Sequence, residues 1–449
     1  MVRSERFELP TDRFVADYSI QLSYERVVQT SLWEIITFLS NTFFQKTCLL
    51  KMNPFKSKSL AVAAVFLFGA SPIFAQDILV NSLKVNASEK SKESFKFTEV
   101  INLANTSVKN QGSSGTCWSY STNSFLESEM IRMGKQPVEL AQIFSARNVY
   151  IEKGKNYVRM HGAVTLGDGG ALHDVPNMLK KYGAVPQEVY TGLNYGTSKN
   201  KFGEMAGLLE GLLAAVVKNP NGELTPNWEK AYTAVIDSYL GQVPETFNFK
   251  GKNYTPQTFA KEVVGLNADD YIEISSFTTA PYYTKTMLMV PDNWSFDQVY
   301  NVKMNDMTDI IDNALKNGFT VAWATDVSEK SFSWKNGVAY IPAKKSEDMT
   351  AEEKENVFNG PQPELEITDE MRQKAFDNYQ TTDDHGMHIV GISKDQNGKE
   401  YYIVKNSWGA TNDYKGYLYV TKNFVKYKTT AFMVNKAGIP SVIAKKMGL

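Results

Sequence analysis

Apolar positions recur at helical spacing soon after Cys117. Trp118, Phe125, Leu126 and Met130 predict a helix over residues 117–135, with Gly134 as its stop. Residues 137–152 predict a second helix, and 170–182 a third that ends at Gly183. Towards the C-terminus the period changes. Residues 387–392, 401–404 and 417–421 are rich in β-branched and aromatic side chains, and Asp395-Gln396-Asn397-Gly398 supplies a hairpin turn between the first two. A helical half therefore precedes an antiparallel sheet half, the order expected of two packed lobes with a cleft between them. Between the halves, residues 204–217, 226–240 and 307–317 read as helices, 319–324 as a buried strand, and 344–377 as charged, exposed and helical. The fold class is α+β, with a large, mostly helical insertion over roughly 194–384.

The N-terminus follows another pattern. Lys56 and Lys58 precede an apolar run from Leu60 to Ala70, and Ser71-Pro72-Ile73-Phe74-Ala75 offers a small residue for cleavage, so residues 52–75 read as a secretory signal. The run is too short to span a bilayer comfortably, and no stable membrane anchor is expected once it is cut. Translation is expected to start at Met52, with 1–51 a mis-called extension, and the mature protein to be secreted or periplasmic. Loss of the leader removes Cys48 and leaves Cys117 as the sole cysteine in an oxidising compartment, where it has no internal disulfide partner. It also leaves 40 basic against 43 acidic side chains, or −3. That balance carries no electrostatic footprint for nucleic acid.

Cys117 sits in Asn110-Gln111-Gly112-Ser113-Ser114-Gly115-Thr116-Cys117-Trp118-Ser119. A Gly/Ser-rich loop runs straight into a helix, and unsatisfied amides at a helix N-terminus favour thiolate. Gln111 lies six residues earlier, where its amide and the backbone N–H of Cys117 could both donate to a developing oxyanion. A nucleophilic thiol needs a base. His161 and His173 lack ligand spacing and read as surface or loop residues, whereas His385 and His388 open a predicted strand. Asn406, on the strand paired with it, is placed to accept from a histidine Nδ1–H, and Trp408 to shield that bond from water. The plainer alternatives are an inert core cysteine, an ordinary loop glutamine and strand-edge histidines. There is no cysteine pair and no His-Glu-x-x-His, so no metal or other cofactor is expected.

The segments 111–118, Asp384-His385-Gly386 and Asn406-Ser407-Trp408-Gly409 resemble the signatures of papain-like cysteine peptidases, in the right chain order. Asp168-Gly169-Gly170, Lys181 to Pro186 with Tyr190, Asp270-Tyr271-Ile272, and Gly318 to Val321 with Asp326-Val327 are most similar to the bleomycin hydrolase and aminopeptidase C branch. The resemblance covers most of 95–440 and implies a papain-like two-lobe peptidase domain over 76–449. It implies Cys117 as nucleophile, His385 as general base and acid, Asn406 as its orienter and Gln111 as oxyanion donor. Gly169, Gly170, Trp408 and Leu449 are the implied substrate-binding residues. His385 is preferred to His388 because a small residue follows it and Gly391 lies six residues on, and an odd offset turns the two to opposite faces of a strand. In that branch the C-terminal arm, here 436–449, brings its carboxylate to the substrate's amine, which implies an aminopeptidase acting on peptides. An endopeptidase with an open cleft and an inactive scaffold are the alternatives, and a homo-oligomer is left open. A transglutaminase-like acyl transfer fits the motifs poorly. N-terminal sequencing of the native protein is expected to find a mature chain that begins after Ala75; one that begins before Met52 would overturn the leader assignment.

Overall fold

The computed structural model describes residues 95–219 and 222–449, all within the unit Ser71–Leu449. The leader, the 1–51 segment and most of the polar stretch after Ala75 lie outside the described residues. Strand β1 (Phe97–Asn102) leads through the Cys117 loop into helix α1 (Cys117–Arg132). Helices α2 (Gln142–Arg159), α3 (Asp174–Tyr182), α4 (Gly203–Val217) and α5 (Asn227–Leu240) complete a helical lobe, closed by the hairpin β2 (Phe247–Phe249) and β3 (Lys252–Tyr254). Its core includes Phe125, Leu126, Phe144, Tyr150, Leu172, Phe202 and Phe259.

The second lobe is a sheet. Strands β4 (Tyr271–Ser275), β5 (Thr284–Met287) and β6 (Gln298–Asn301) precede helix α6 (Met304–Lys316). Then come β7 (Val321–Thr325), β8 (Phe332–Ser333), β9 (Val338–Ala339), and the helices α7 (Ala351–Asn356) and α8 (Asp369–Asp377). Strands β10 (His385–Asp395), β11 (Glu400–Lys405) and β12 (Tyr417–Thr421), helix α9 (Lys422–Lys428), strand β13 (Thr429–Asn435) and helix α10 (Ser441–Met447) finish the chain. The order across the sheet is β5-β6-β4-β13-β7-β10-β11-β12-β9-β8, with β1 added along β10. β10 is antiparallel to both neighbours, setting His385 opposite Thr325 and His388 opposite Lys405. No helix among the described residues is long and apolar enough to cross a membrane.

Three expectations change. The second helix starts at Gln142, not near Pro137, because Leu140 first makes a bridge to Pro186 in extended conformation. The third starts at Asp174, because the residues around Gly170 remain a loop. Segment 194–384, expected as a mostly helical insertion, is mixed: helices α4 to α8 fall within it, and of these α4 and α5 join the first lobe. From Tyr271 onward it builds the strands β4 to β9 of the main sheet. Among them β7 matches the buried strand expected over 319–324; the others have two to five residues each, too short to show a period-2 pattern.

One contact joins the lobes at the level of the site. Helix α1 is rich in Ser and Thr and buried along nearly its whole length, and it lies on β10. At Gly386 the approach leaves no room for a side chain: a Cβ would stand 2.8 Å from Ser121 Oγ and 3.1 Å from the backbone of Trp118. The backbone atoms on the α1 side cannot swing away as a side-chain tip can. Gly386→Ala is therefore expected to destabilise the protein by about 1–3 kcal/mol through overpacking. The check is the midpoint of urea unfolding; an unchanged midpoint would show that the two elements can separate freely.

Candidate active site

The loop before α1 is fixed at several points. The Gln111 N–H donates to Ser407 O at 2.8 Å, Ser113 N–H to Asn200 O at 2.8 Å, and Gly115 N–H to Asp168 Oδ2 at 3.2 Å. The Trp118 indole N–H donates to Asp168 O at 3.1 Å. Cys117 is then the first residue of α1, with 6% of its surface exposed. Burial is the stronger influence on it and pushes the thiol up to about 12, while hydrogen bonds from the backbone N–H groups of Gly386 and Trp118 pull the other way. The thiolate-favouring helix terminus read from the sequence is thus outweighed by desolvation. The site needs a base to draw the proton off.

His385 is buried at the start of β10, and its Nε2 lies 2.7 Å from Asn406 Oδ1. The same oxygen accepts from the backbone N–H of Ser407 at 2.7 Å. A backbone N–H can only donate, so the atom it meets is the amide oxygen, and Nε2 must carry the imidazole proton to bond to it. The neutral ring therefore holds its lone pair on Nδ1. This reverses the ring nitrogen expected from the sequence, where Nδ1 was assigned to the Asn406 bond. The choice depends on ring orientation, which a string of residues does not encode. Trp408 is buried, with its ring centroid 4.6 Å from that of His385 at a tilt of 34°. It covers the imidazole, backed by Trp334 and Phe332, and stands outside the cavity beside Cys117.

His388 faces elsewhere. Its Nδ1 lies 2.9 Å from Ser124 Oγ, which also accepts from Lys405 Nζ at 2.8 Å. Burial and then the Lys405 charge hold its imidazole well below the usual histidine range, so it stays neutral as a structural group. Gln111 is buried; its Nε2 donates to Ser114 O at 2.7 Å and its Oε1 accepts from Ser407 Oγ at 2.6 Å. One hydrogen of the amide nitrogen remains beyond that bond. His161 lies on an exposed turn, as expected of a surface residue. His173, expected on the surface or in a loop, lies in the turn before α3 but is buried, with Nδ1 2.5 Å from Glu273 Oε2. Burial opposes its charge, yet the Glu273 carboxylate raises the imidazole to about 9.

A cavity adjoins Cys117 and His385, walled by Trp118, Gly170, Leu172 and Gly386 and by the carboxylates of Glu273, Asp292, Asp383 and Asp384. Gly170 faces it, whereas Gly169 does not. The Gly169 carbonyl accepts from the buried Lys153 Nζ at 2.6 Å, and a Cβ on Gly169 would fall 1.9 Å from Asp292 Oδ2. Asp292 thus covers Gly169, where an extended substrate strand was expected to run. Leu449, expected in the cleft, is 41% exposed and lies beyond α10, away from the cavity wall. Its helix carries Ile443 and Met447 into the core that holds Ile310 and Ala314. Among the described residues no group of three His, Cys, Asp or Glu side chains could hold a metal ion.

The acidic wall is the part that sequence reasoning missed. Glu273 left one sign: it is the charged residue of the otherwise uncharged Tyr271–Ser275 strand, every position of which is buried.

The model of the peptidase C1-like family matches residues 70–448. An aminopeptidase C of Lactobacillus delbrueckii subsp. lactis is 24% identical over 405 residues, spanning 81% of this chain and 86% of that protein. The bleomycin hydrolase of Mus musculus is 23% identical over 396 residues, spanning 77% and 84%. The solved structure of PepW from Lactobacillus rhamnosis superposes with a TM-score of 0.63 at 21% identity, covering 88% of this chain and 95% of the other, and shows the same papain-like α+β fold. The chain belongs to the peptidase C1-like family and is a cysteine peptidase of its bleomycin hydrolase and aminopeptidase C branch.

Proposed function

We propose that this peptidase removes residues from the N-terminus of peptides, with Cys117 as nucleophile, His385 as base and acid, and Asn406 as the group that orients the imidazole. The observation that carries the assignment is the Asn406 Oδ1 that accepts from both Ser407 N–H and His385 Nε2. It leaves Nδ1 to take the proton that burial holds on the Cys117 sulfur. The thiolate adds to the scissile carbonyl. The oxyanion receives hydrogen bonds from the Cys117 backbone N–H and the remaining Gln111 amide hydrogen. Collapse breaks the C–N bond, the amine leaves with the proton from His385, and a thioester joins the acyl group to Cys117. A water, deprotonated by the same nitrogen, then releases the acid and restores the thiol. Trp408 keeps water from the His385–Asn406 bond, an indirect role in place of substrate contact.

The exopeptidase reading draws on the relative named aminopeptidase C and on Asp292, which covers Gly169 and so interrupts the path of an extended chain. An endopeptidase is the second reading, favoured by the position of α10 away from the cavity. Export through the 52–75 segment would place the activity outside the cytoplasm.

An aminoacyl arylamide with a free amine is expected to be cleaved, its N-acetylated form not, and Cys117→Ser to cleave neither while melting as the parent does. Equal cleavage of both substrates by the parent would favour the endopeptidase, and near-full activity of Cys117→Ser would remove the nucleophile assignment. In His385→Ala the thiol loses its base while burial still holds its titration near 12. Thiolate is then scarce at neutral pH, so alkylation of Cys117 by iodoacetamide should climb by about tenfold per pH unit from about pH 7 to pH 10. The parent should react faster at pH 7 and depend less on pH. Matching profiles would show that His385 does not act on the thiol.

A further inference from the structure

We propose that Asp292 and Asp383, backed by Glu273, form the anchor for the α-ammonium group of the substrate, a task built into the body of the cleft. The inference rests on the aminopeptidase reading and names the residues that would enforce it. Four carboxylates and no lysine or arginine stand in the wall of the cavity beside Cys117. They come from three separate places: β4, the loop after β5, and the approach to β10.

The charges in this wall are not matched from within. Glu273 is offset by His173 through Oε2, yet its Oε1 is buried and has no hydrogen-bond partner among the described residues, with the side chain 3% exposed. An orphaned carboxylate oxygen facing a cavity calls for a donor. The Asp292 carboxylate makes no hydrogen bond or ion pair among the described residues. Lys153, the nearest cation acting on it, is committed to the carbonyls of Gly167 and Gly169. Among the described residues Asp383 accepts only from Thr430 Oγ1, at 3.1 Å. Burial, and then repulsion from Asp292, raises the Asp383 carboxyl well above its ordinary value, which a neighbouring cation would relieve.

The size of the space selects the cation. The cavity measures about 20 Å³, room for one group of water or ammonium size. An ammonium offers three donors to acceptors spread around it, whereas a metal ion needs a convergent ligand set, which is absent among the described residues. Asp292 also sits over Gly169, so the space ends where a longer chain would continue. A free amine on the residue that carries the scissile carbonyl fits those boundaries. The ammonium could instead belong to a lysine side chain one residue further from the scissile bond, and the substrates below separate the two sources.

The test measures kcat/KM on the full chain for alanyl-arylamide, its N-acetyl form and acetyl-lysyl-alanyl-arylamide, with the parent, Asp292→Asn and Asp383→Asn. The expected result is a loss of about tenfold or more for alanyl-arylamide in each variant, carried mainly by KM, as for a lost hydrogen bond to a charged group. The iodoacetamide reaction of Cys117 and the melting temperature report whether each variant is folded with its thiol in place. If one variant does not fold, the other decides. If the parent requires a free amine and neither folded variant changes KM, the anchor is wrong while the aminopeptidase stands. Cleavage of N-acetylalanyl-arylamide as fast as the free form removes the aminopeptidase reading itself. Preference of the parent for acetyl-lysyl-alanyl-arylamide, abolished in the variants, assigns the anchor to a side chain and overturns the α-ammonium.

Discussion

The close approach of α1 to β10 at Gly386 is the constraint on which the site depends. Cys117 belongs to the helix and His385 to the strand, and nothing in the chain between them, over more than two hundred residues, sets their separation. The missing side chain at Gly386, with Ser121 and the Trp118 backbone pressed against it, brings the two elements to near contact. The loop that feeds α1 is tied to the same lobe from its other end, through Gln111 N–H to Ser407 O. Asn406, Ser407 and Trp408 follow directly on β11, so one turn of chain bonds the imidazole, holds the Gln111 loop and covers His385.

Desolvation works in both directions at this site. It keeps the Cys117 proton on sulfur, which the helix terminus by itself would not, and it raises the carboxyl groups of Asp292 and Asp383. Each is a charged state withheld until something completes it: a base for the thiol, a cation for the carboxylates. A peptide with a free amine would complete the second requirement while presenting its carbonyl to the first. Binding and reaction are then coupled through the removal of water, which strengthens both electrostatic terms.

The sequence is most legible where candidate groups are local. Residues 111–118, 384–386 and 406–409 each hold their groups within one short stretch, so Cys117, His385, Asn406 and Gln111 could be named as candidates without coordinates, and the structure sets His385 beside Asn406. The two-lobe order was equally readable, because α1, α4, α5 and β10 are long stretches of chain. The rest was not readable, for definite reasons. Which ring nitrogen of His385 meets Asn406 is set by the Ser407 N–H that fixes the amide. The acidic wall gathers Glu273, Asp292 and Asp383 from segments far apart, and an isolated acid carries no sign of its neighbours. Strands β8 and β9, with two residues each, owe their existence to the sheet they join.

The placement of residues 441–449 bears on how specificity could be lost. In an enzyme gated by a tail lying loose in the cleft, trimming a few residues changes what is cut and leaves the fold alone. Here α10 sends Ile443 and Met447 into the core beneath α6, and Asn313 holds the Gly438 carbonyl just before it. Shortening this end would erode the packing of the sheet lobe and leave the carboxylates beside Cys117 where they are. On this packing, trimming residues 441–449 would act first on stability, and a change in selectivity would call for substitutions in the cleft.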